Sequence, residues 1–149
     1  MNALPVLLVA HIGLAISLIL PNLLAPFVLR RSRPAEVGRT GRLILWLQGP
    51  AAPWIGGGVA VTGVALIIVL GLNVAEQTWL LVALAIYAAV LVVAAVFARP
   101  NLRALLGLSG SIDDQTWRRR ARTQRYLAYA MAAAIGVIGF LMSTKPTLW

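Results

Sequence analysis

Four apolar stretches, residues 4–29, 50–71, 78–98 and 126–143, make up most of this chain. Each has about the ~20-residue length that a helix needs to cross a hydrocarbon core roughly 30 Å thick. The pattern predicts an all-α fold: an integral membrane four-helix bundle, one domain over residues 1–149. Composition points the same way, because with 60% hydrophobic and 11% charged residues a water-soluble domain would have no polar coat left for its surface.

The charges are divided unevenly among the connectors. Arg30, Arg31, Arg33, Arg39 and Arg42 belong to the first, Arg99, Arg103, Arg118, Arg119, Arg120, Arg122 and Arg125 to the third, and the second has no basic residue. By the positive-inside rule the first and third connectors are cytoplasmic and both termini are outside. The chain is thus expected to be multi-pass in a bacterial cytoplasmic (inner) membrane. The net charge of +9 is accounted for by orientation and by contact with anionic lipid headgroups. Neither basic connector has a groove-reading motif or interleaved stacking aromatics, so nucleic acid is not an expected partner.

Cysteine is absent, which excludes disulfides, thiolate metal sites and covalent haem attachment through a cysteine pair. The first apolar run has no basic leader and is followed by arginines instead of a small-residue cleavage site, so it reads as a retained helix.

Within the spans, Pro21 is expected to kink helix one. Asn22 then donates to the freed carbonyl or bonds across to a neighbour. Helix two is broken by Pro50, Pro53 and Gly56-Gly57-Gly58. Residues 43–48 are expected in the interface with Trp46 and Trp54 as anchors, and the spanning portion from about Ala51, with Gly58 and Thr62 as a close-packing pair. Thr78 or Asn73 is expected to cap helix three, Trp79 to sit in an outer aromatic belt, and Tyr87 to hydrogen-bond a neighbouring helix. In the third connector, residues 100–108 suit a short interfacial amphipathic helix with Leu102, Leu105 and Leu106 toward the acyl chains, ended by Gly107, Ser109 and Gly110. Ser111 and Asp114 resemble a capping box for a helix running through Trp117 and the arginine cluster into helix four. There Ala128, Ala132 and Gly136 form a smooth packing face.

His11, the only histidine, stands about seven residues inside helix one. Ionisable groups at such depth are functional candidates by default, and neutral imidazole is a common metal ligand. One imidazole suffices as the axial ligand of haem b iron or of a chlorophyll-type magnesium. No cysteine, aspartate or glutamate in any span completes a bare metal site. Proteolytic and phosphoryl-transfer chemistry find no motif.

Several segments together resemble a known grouping: Val9-Ala10-His11-Ile12-Gly13-Leu14, the Arg-rich first connector, the Gly-rich second helix, Thr78-Trp79-Leu80-Leu81 with Tyr87 after it, the basic run before helix four, and Leu141-Met142-Ser143-Thr144-Lys145-Pro146. They look like predicted bacterial integral membrane proteins of domain of unknown function 2269. The layout is also similar to copper-resistance D-type proteins and to the four-helix, haem-associated protoporphyrinogen oxidase family, which likewise place a histidine early in helix one. In the oxidase family a lysine from helix three accompanies it, whereas Trp79 to Ala98 contains none. The resemblance implies a four-helix bundle with His11 as the one position carried across.

The resulting expectation is a small non-catalytic subunit packed among other membrane subunits of a larger complex, respiratory or photosynthetic. The alternatives are a haem- or tetrapyrrole-binding protein with a redox or biosynthetic role through His11, and a transporter using the broken second helix. The topology has a direct test. Cysteines placed singly at 39, 75 and 119 in intact cells should be protected, labelled and protected, respectively, from an impermeant thiol reagent; the opposite pattern would invert the orientation.

Overall fold

In the computed structural model, which describes residues 3–31, 38–107 and 113–145, the described residues form helices and turns. Helix α1 spans Ala3–Arg31 and α2 Arg39–Gln48; α3 spans Ala52–Val69 and α4 Thr78–Val93. A π-helical turn at Ala94–Ala98 leads directly into α5, Arg99–Leu105, and α6 spans Asp114–Thr144. Among the described residues four helical segments are long and apolar enough to cross a membrane: Ala3–Arg30, Ala52–Val69, Thr78–Leu105 and Asp114–Thr144. At ~1.5 Å per residue even the 18-residue α3 covers about 27 Å.

Helix α1 packs against α3, α6 and the short α2, and α6 packs against α4. The break in the second apolar run falls at Gly49-Pro50-Ala51. There α2 ends, and Pro53 sits in the first turn of α3, where a missing N–H costs no helical bond. Helix α2 turns Leu45 and Gln48 inward and leaves Trp46 exposed, and Trp54 in the first turn of α3 is exposed as well. Its last turn lies close to α5, since a Cβ on Gly49 would stand 3.3 Å from Leu102 Cβ.

Glycines hold the spans together at three points on α3. A Cβ on Gly58 would meet Leu14 of α1 at 3.1 Å, one on Gly63 would meet the His11 ring at 3.3 Å, and one on Gly56 would meet Leu91 of α4 at 3.0 Å. Gly57, between them, has no atom within 4 Å of that position. The triplet therefore serves two neighbours at once, Gly58 toward α1 and Gly56 toward α4. Gly71 (φ +62°) and Gly107 (φ +73°) end α3 and α5 in the left-handed conformation that glycine adopts without strain.

Several expectations are corrected. Residues 99–105 do form a short helix, α5, continuous through the π turn with the third span, but its leucines do not all face outward. The π turn inserts one residue and rotates the rest of the span by about 100°, and Leu102 (0% exposed) and Leu105 (1%) enter the core with Ala25, Leu29, Leu45 and Ala121. Trp79 is buried, at 7% exposure, because its indole N–H finds a local acceptor in Gln77 Oε1 at 2.8 Å. Neither Thr78 nor Asn73 caps α4; Gln77 stands at the cap but its side chain accepts from no backbone N–H of the helix, and Asn73 Oδ1 instead accepts from Ala75 N–H at 3.2 Å within the turn.

Helix α6 is capped by Asp113, whose Oδ2 accepts from the N–H groups of Gln115 (3.1 Å) and Thr116 (3.0 Å). Hydrogen bonds from the Thr116 side chain and backbone hold the Asp113 carboxyl below its ordinary value. The cap is therefore complete above the ordinary carboxylate range and is lost as pH falls through the lowered value. The expected pairing of Ser111 with Asp114 involves Ser111, which with Ser109, Gly110 and the tail from Pro146 to Trp149 lies outside the described residues.

The smooth face of helix four is half as expected. Ala128 and Ala132 are buried, but Gly136 faces outward with no atom within 4 Å of its Cβ position. A row at strict four-residue spacing precesses about 40° per step around a helix, so its third member has left the interface. The same substitution should consequently have opposite results at two glycines. Gly58→Leu, overpacked against Leu14, should cost about 1–3 kcal/mol, whereas Gly136→Leu should stay within about 0.5 kcal/mol, both read from thermal unfolding in detergent micelles. Equal losses would overturn this account of the packing.

Candidate functional site

Among the described residues, the polar side chains that bond between helices inside the bundle fall into three groups. The first is His11. Its Nδ1 lies 2.9 Å from Thr62 Oγ1, across the α1–α3 interface. Thr62 sits one turn below Gly58 and back-bonds to the carbonyls of Gly58 (2.8 Å) and Val59 (3.1 Å) of its own helix. A threonine hydroxyl has a single hydrogen, so if it serves these carbonyls the imidazole must donate from Nδ1, leaving Nε2 with the lone pair. The ring lies over Gly63, and the Val59 carbonyl also faces it. The arrangement fixes the imidazole between two helices and presents one nitrogen lone pair.

The second group is Tyr87. Its hydroxyl donates to the Gly56 carbonyl across the α3–α4 interface, as the sequence led us to expect for this residue. A Cβ on Gly56 would stand 3.5 Å from the Tyr87 hydroxyl and 3.0 Å from Leu91, so the bare glycine lets both side chains approach.

Two carboxamide pairs form the third group. Asn22 Nδ2 donates to Leu18 O at 2.8 Å, one residue along from the Ser17 carbonyl that Pro21 deprives of its donor, and Gln48 Nε2 donates to Asn22 Oδ1 at 2.9 Å. Asn22 thus bonds both within its own helix and across to α2. On the other side, Asn101 Nδ2 donates to Arg120 O at 2.9 Å and to Gln124 Oε1 at 3.0 Å. Asn22 lies one turn before Ala25 on α1, and Gln124 one turn after Ala121 on α6. Ala25 and Ala121 share a core cluster, which places both pairs along its inner margin.

Gln48 Oε1, Gln124 Nε2 and Trp117 Nε1 are buried without a hydrogen-bond partner. Gln124 is fully enclosed, at 0% exposure. Each unmet group costs about 1–3 kcal/mol in a soluble interior. This layer was not anticipated for Gln48, Asn101 or Gln124. Gln124 had a signal, because it follows Ala121 and precedes Ala128 on one helical row.

Among the described residues no three histidine, cysteine, aspartate or glutamate side chains come together in a way that could hold a metal ion. No family model, curated protein or solved structure matches the chain.

The His11–Thr62 contact predicts a measurable coupling. In a double-mutant cycle of His11→Ala and Thr62→Val, the two losses of thermal stability should be non-additive by ~0.6 kcal/mol, the average for polar pairs between membrane helices, and by no more than about 1.7 kcal/mol. Strict additivity would mean that the two side chains do not exchange a hydrogen bond.

Proposed function

We propose that this chain is a small non-catalytic membrane subunit that packs through the outer face of α1 against another transmembrane helix in a larger assembly, respiratory or photosynthetic. It sits in a bacterial cytoplasmic membrane with both termini outside and its arginine-rich end among anionic headgroups of the cytoplasmic leaflet. At that end the short α5 meets the interface.

The observation that carries the reading is the outer row of α1. Val6, Ala10, Gly13, Ser17, Leu20, Leu24 and Phe27 recur at alternating four- and three-residue spacing, and all are exposed. At its centre are three small residues. Gly13 has no atom within 4 Å of its Cβ position, and the Ser17 hydroxyl is turned onto its own helix, donating to Gly13 O at 2.8 Å. A row of this period is the seam of a left-handed helix pair. Small residues at its middle let a second backbone approach, which is where dispersion contact drives association in lipid. The alternative pigment reading for His11 has one atom in its support, the Nε2 lone pair.

Extraction from native membranes in a mild detergent, followed by native electrophoresis, tests the subunit reading. The protein should migrate in an assembly larger than its own monomer. Gly13→Leu should release the monomer without lowering its unfolding temperature. A wild-type protein that is monomeric throughout refutes the reading, and a Soret or far-red absorption band lost in His11→Ala would replace it with the pigment one.

A further inference from the structure

A second exposed row runs along α6, on a different helix from the α1 seam. Arg119, Arg122, Tyr126, Tyr129, Ala133, Gly136 and Phe140 follow one another at three- and four-residue spacing, and all are exposed. Tyr126 is 70% exposed. Their chemistry is graded along the helix: two guanidinium groups, two phenols, two small residues, then one large ring. We propose that this row is a binding site for one anionic phospholipid of the leaflet at the arginine-rich end.

Each segment matches one part of such a molecule. Arg119 and Arg122, one turn apart on the same side, suit the phosphate oxygens, which guanidinium groups engage through paired N–H donors. Tyr126 and Tyr129 put hydroxyls at the level of the glycerol esters, where amphipathic rings settle in membranes. From Tyr126 to Gly136 is ten residues, or roughly 15 Å at 1.5 Å per residue. This is about half of a ~30 Å hydrocarbon core, the depth of one leaflet. Over the inner part of that depth the small Ala133 and Gly136, the latter with no atom within 4 Å of its Cβ position, leave room for an acyl chain beside the helix, and the exposed Phe140 follows.

Charge selects the headgroup. The chain has 13 basic residues against 4 acidic ones, 12 of the basic ones in the two arginine-rich connectors, and the Asp113 carboxylate is spent on its own helix. The neutralising anions must come from outside the chain, and a phospholipid with a net negative headgroup supplies one in register with the tyrosines and the small residues. Another exposed basic pair, Arg99 and Arg103 of α5, follows the exposed Val96 and Phe97 of the π turn, with no tyrosine between it and the apolar surface. It serves as the internal control. The inference shares with the subunit reading only the membrane setting, because it uses α6 and needs no partner chain.

The test is titration of the purified full chain in detergent with phosphatidylglycerol or phosphatidylcholine, with bound lipids counted by native mass spectrometry. One phosphatidylglycerol should be retained about an order of magnitude more tightly than phosphatidylcholine. At about fivefold per guanidinium near an anionic headgroup, Arg119→Gln with Arg122→Gln should abolish that preference, whereas Arg99→Gln with Arg103→Gln should preserve it. Gly136→Leu, which leaves the fold intact, should weaken retention of both lipids. Equal binding of the two lipids by the wild type overturns the proposal and leaves the row to an acidic partner chain. Equal weakening by the two arginine pairs also overturns it, as a diffuse basic belt. Either failure leaves the α1 assembly result untouched.

Discussion

In hydrocarbon an apolar side chain gains nothing by turning inward, so what holds this bundle together is how closely its helix backbones approach. That constraint accounts for the glycines of α3. Gly58 and Gly63 admit Leu14 and His11 from α1, and Gly56 admits Leu91 and the Tyr87 hydroxyl from α4. Helix α3 is the shortest of the spans and is gripped from two sides, each grip depending on the absence of a side chain. Dispersion grows only where atoms touch, so a single methyl group at these positions would separate surfaces along a whole turn.

Close approach sets distance but not rotation or depth, and the sparse polar bonds supply those. His11 to Thr62 pins α1 against α3 toward one end of the bundle, while Asn22 to Gln48 and Asn101 to Gln124 pin α1 to α2 and α5 to α6 near the arginine-rich end. The two proline positions of α1 fit this division. Pro21 and Pro26 are buried beside Asn22, and the helix there trades its own backbone bonds for contacts with α2. A polar layer that leaves Gln48 Oε1 and Gln124 Nε2 unmet is also where the bundle stores unspent hydrogen-bonding capacity.

Much of this was legible in the chain, and the limit has a physical cause. The four spans, the break before Ala52, the Tyr87 bond to a neighbouring helix and the run of α6 through Trp117 into the last span are all set by hydrophobic length, proline chemistry and the cost of an unpaired hydroxyl. Which face of each helix turns inward is not. Helices α1, α3 and α4 are apolar all round, because lipid and protein interior ask for the same residues, and the amphipathic stripe that betrays the core side of a soluble helix is missing. Gly136 and Trp79 were misplaced for that reason, one expected inside and found outside, the other the reverse. Leu102 and Leu105 were misplaced for another: the π turn that redirects them leaves no mark in composition. His11 was legible as an isolated polar group, but its partner Thr62 was read only as a small residue.

A face that is not needed for internal packing is free to be shaped by its surroundings, and here two faces are shaped differently. Were lipid tails the sole neighbours, the outward positions of α1 and α6 would need only bulk and apolarity, as Val61, Val64 and Ile68 have on α3. Instead the α1 row is small at its centre and keeps its one hydroxyl turned onto its own backbone, a surface smooth enough for another helix. The α6 row passes from charge through phenol to small and then large apolar groups, the same order in which a phospholipid passes from phosphate to ester to chain. Such a gradient would not arise from helix packing alone, in which the a and d positions share one polarity from end to end. The two proposals thus assign neighbours of different kinds to the two rows, a rigid helix to α1 and a flexible amphiphile to α6, because a row of uniform polarity suits a helix and a graded one suits a lipid.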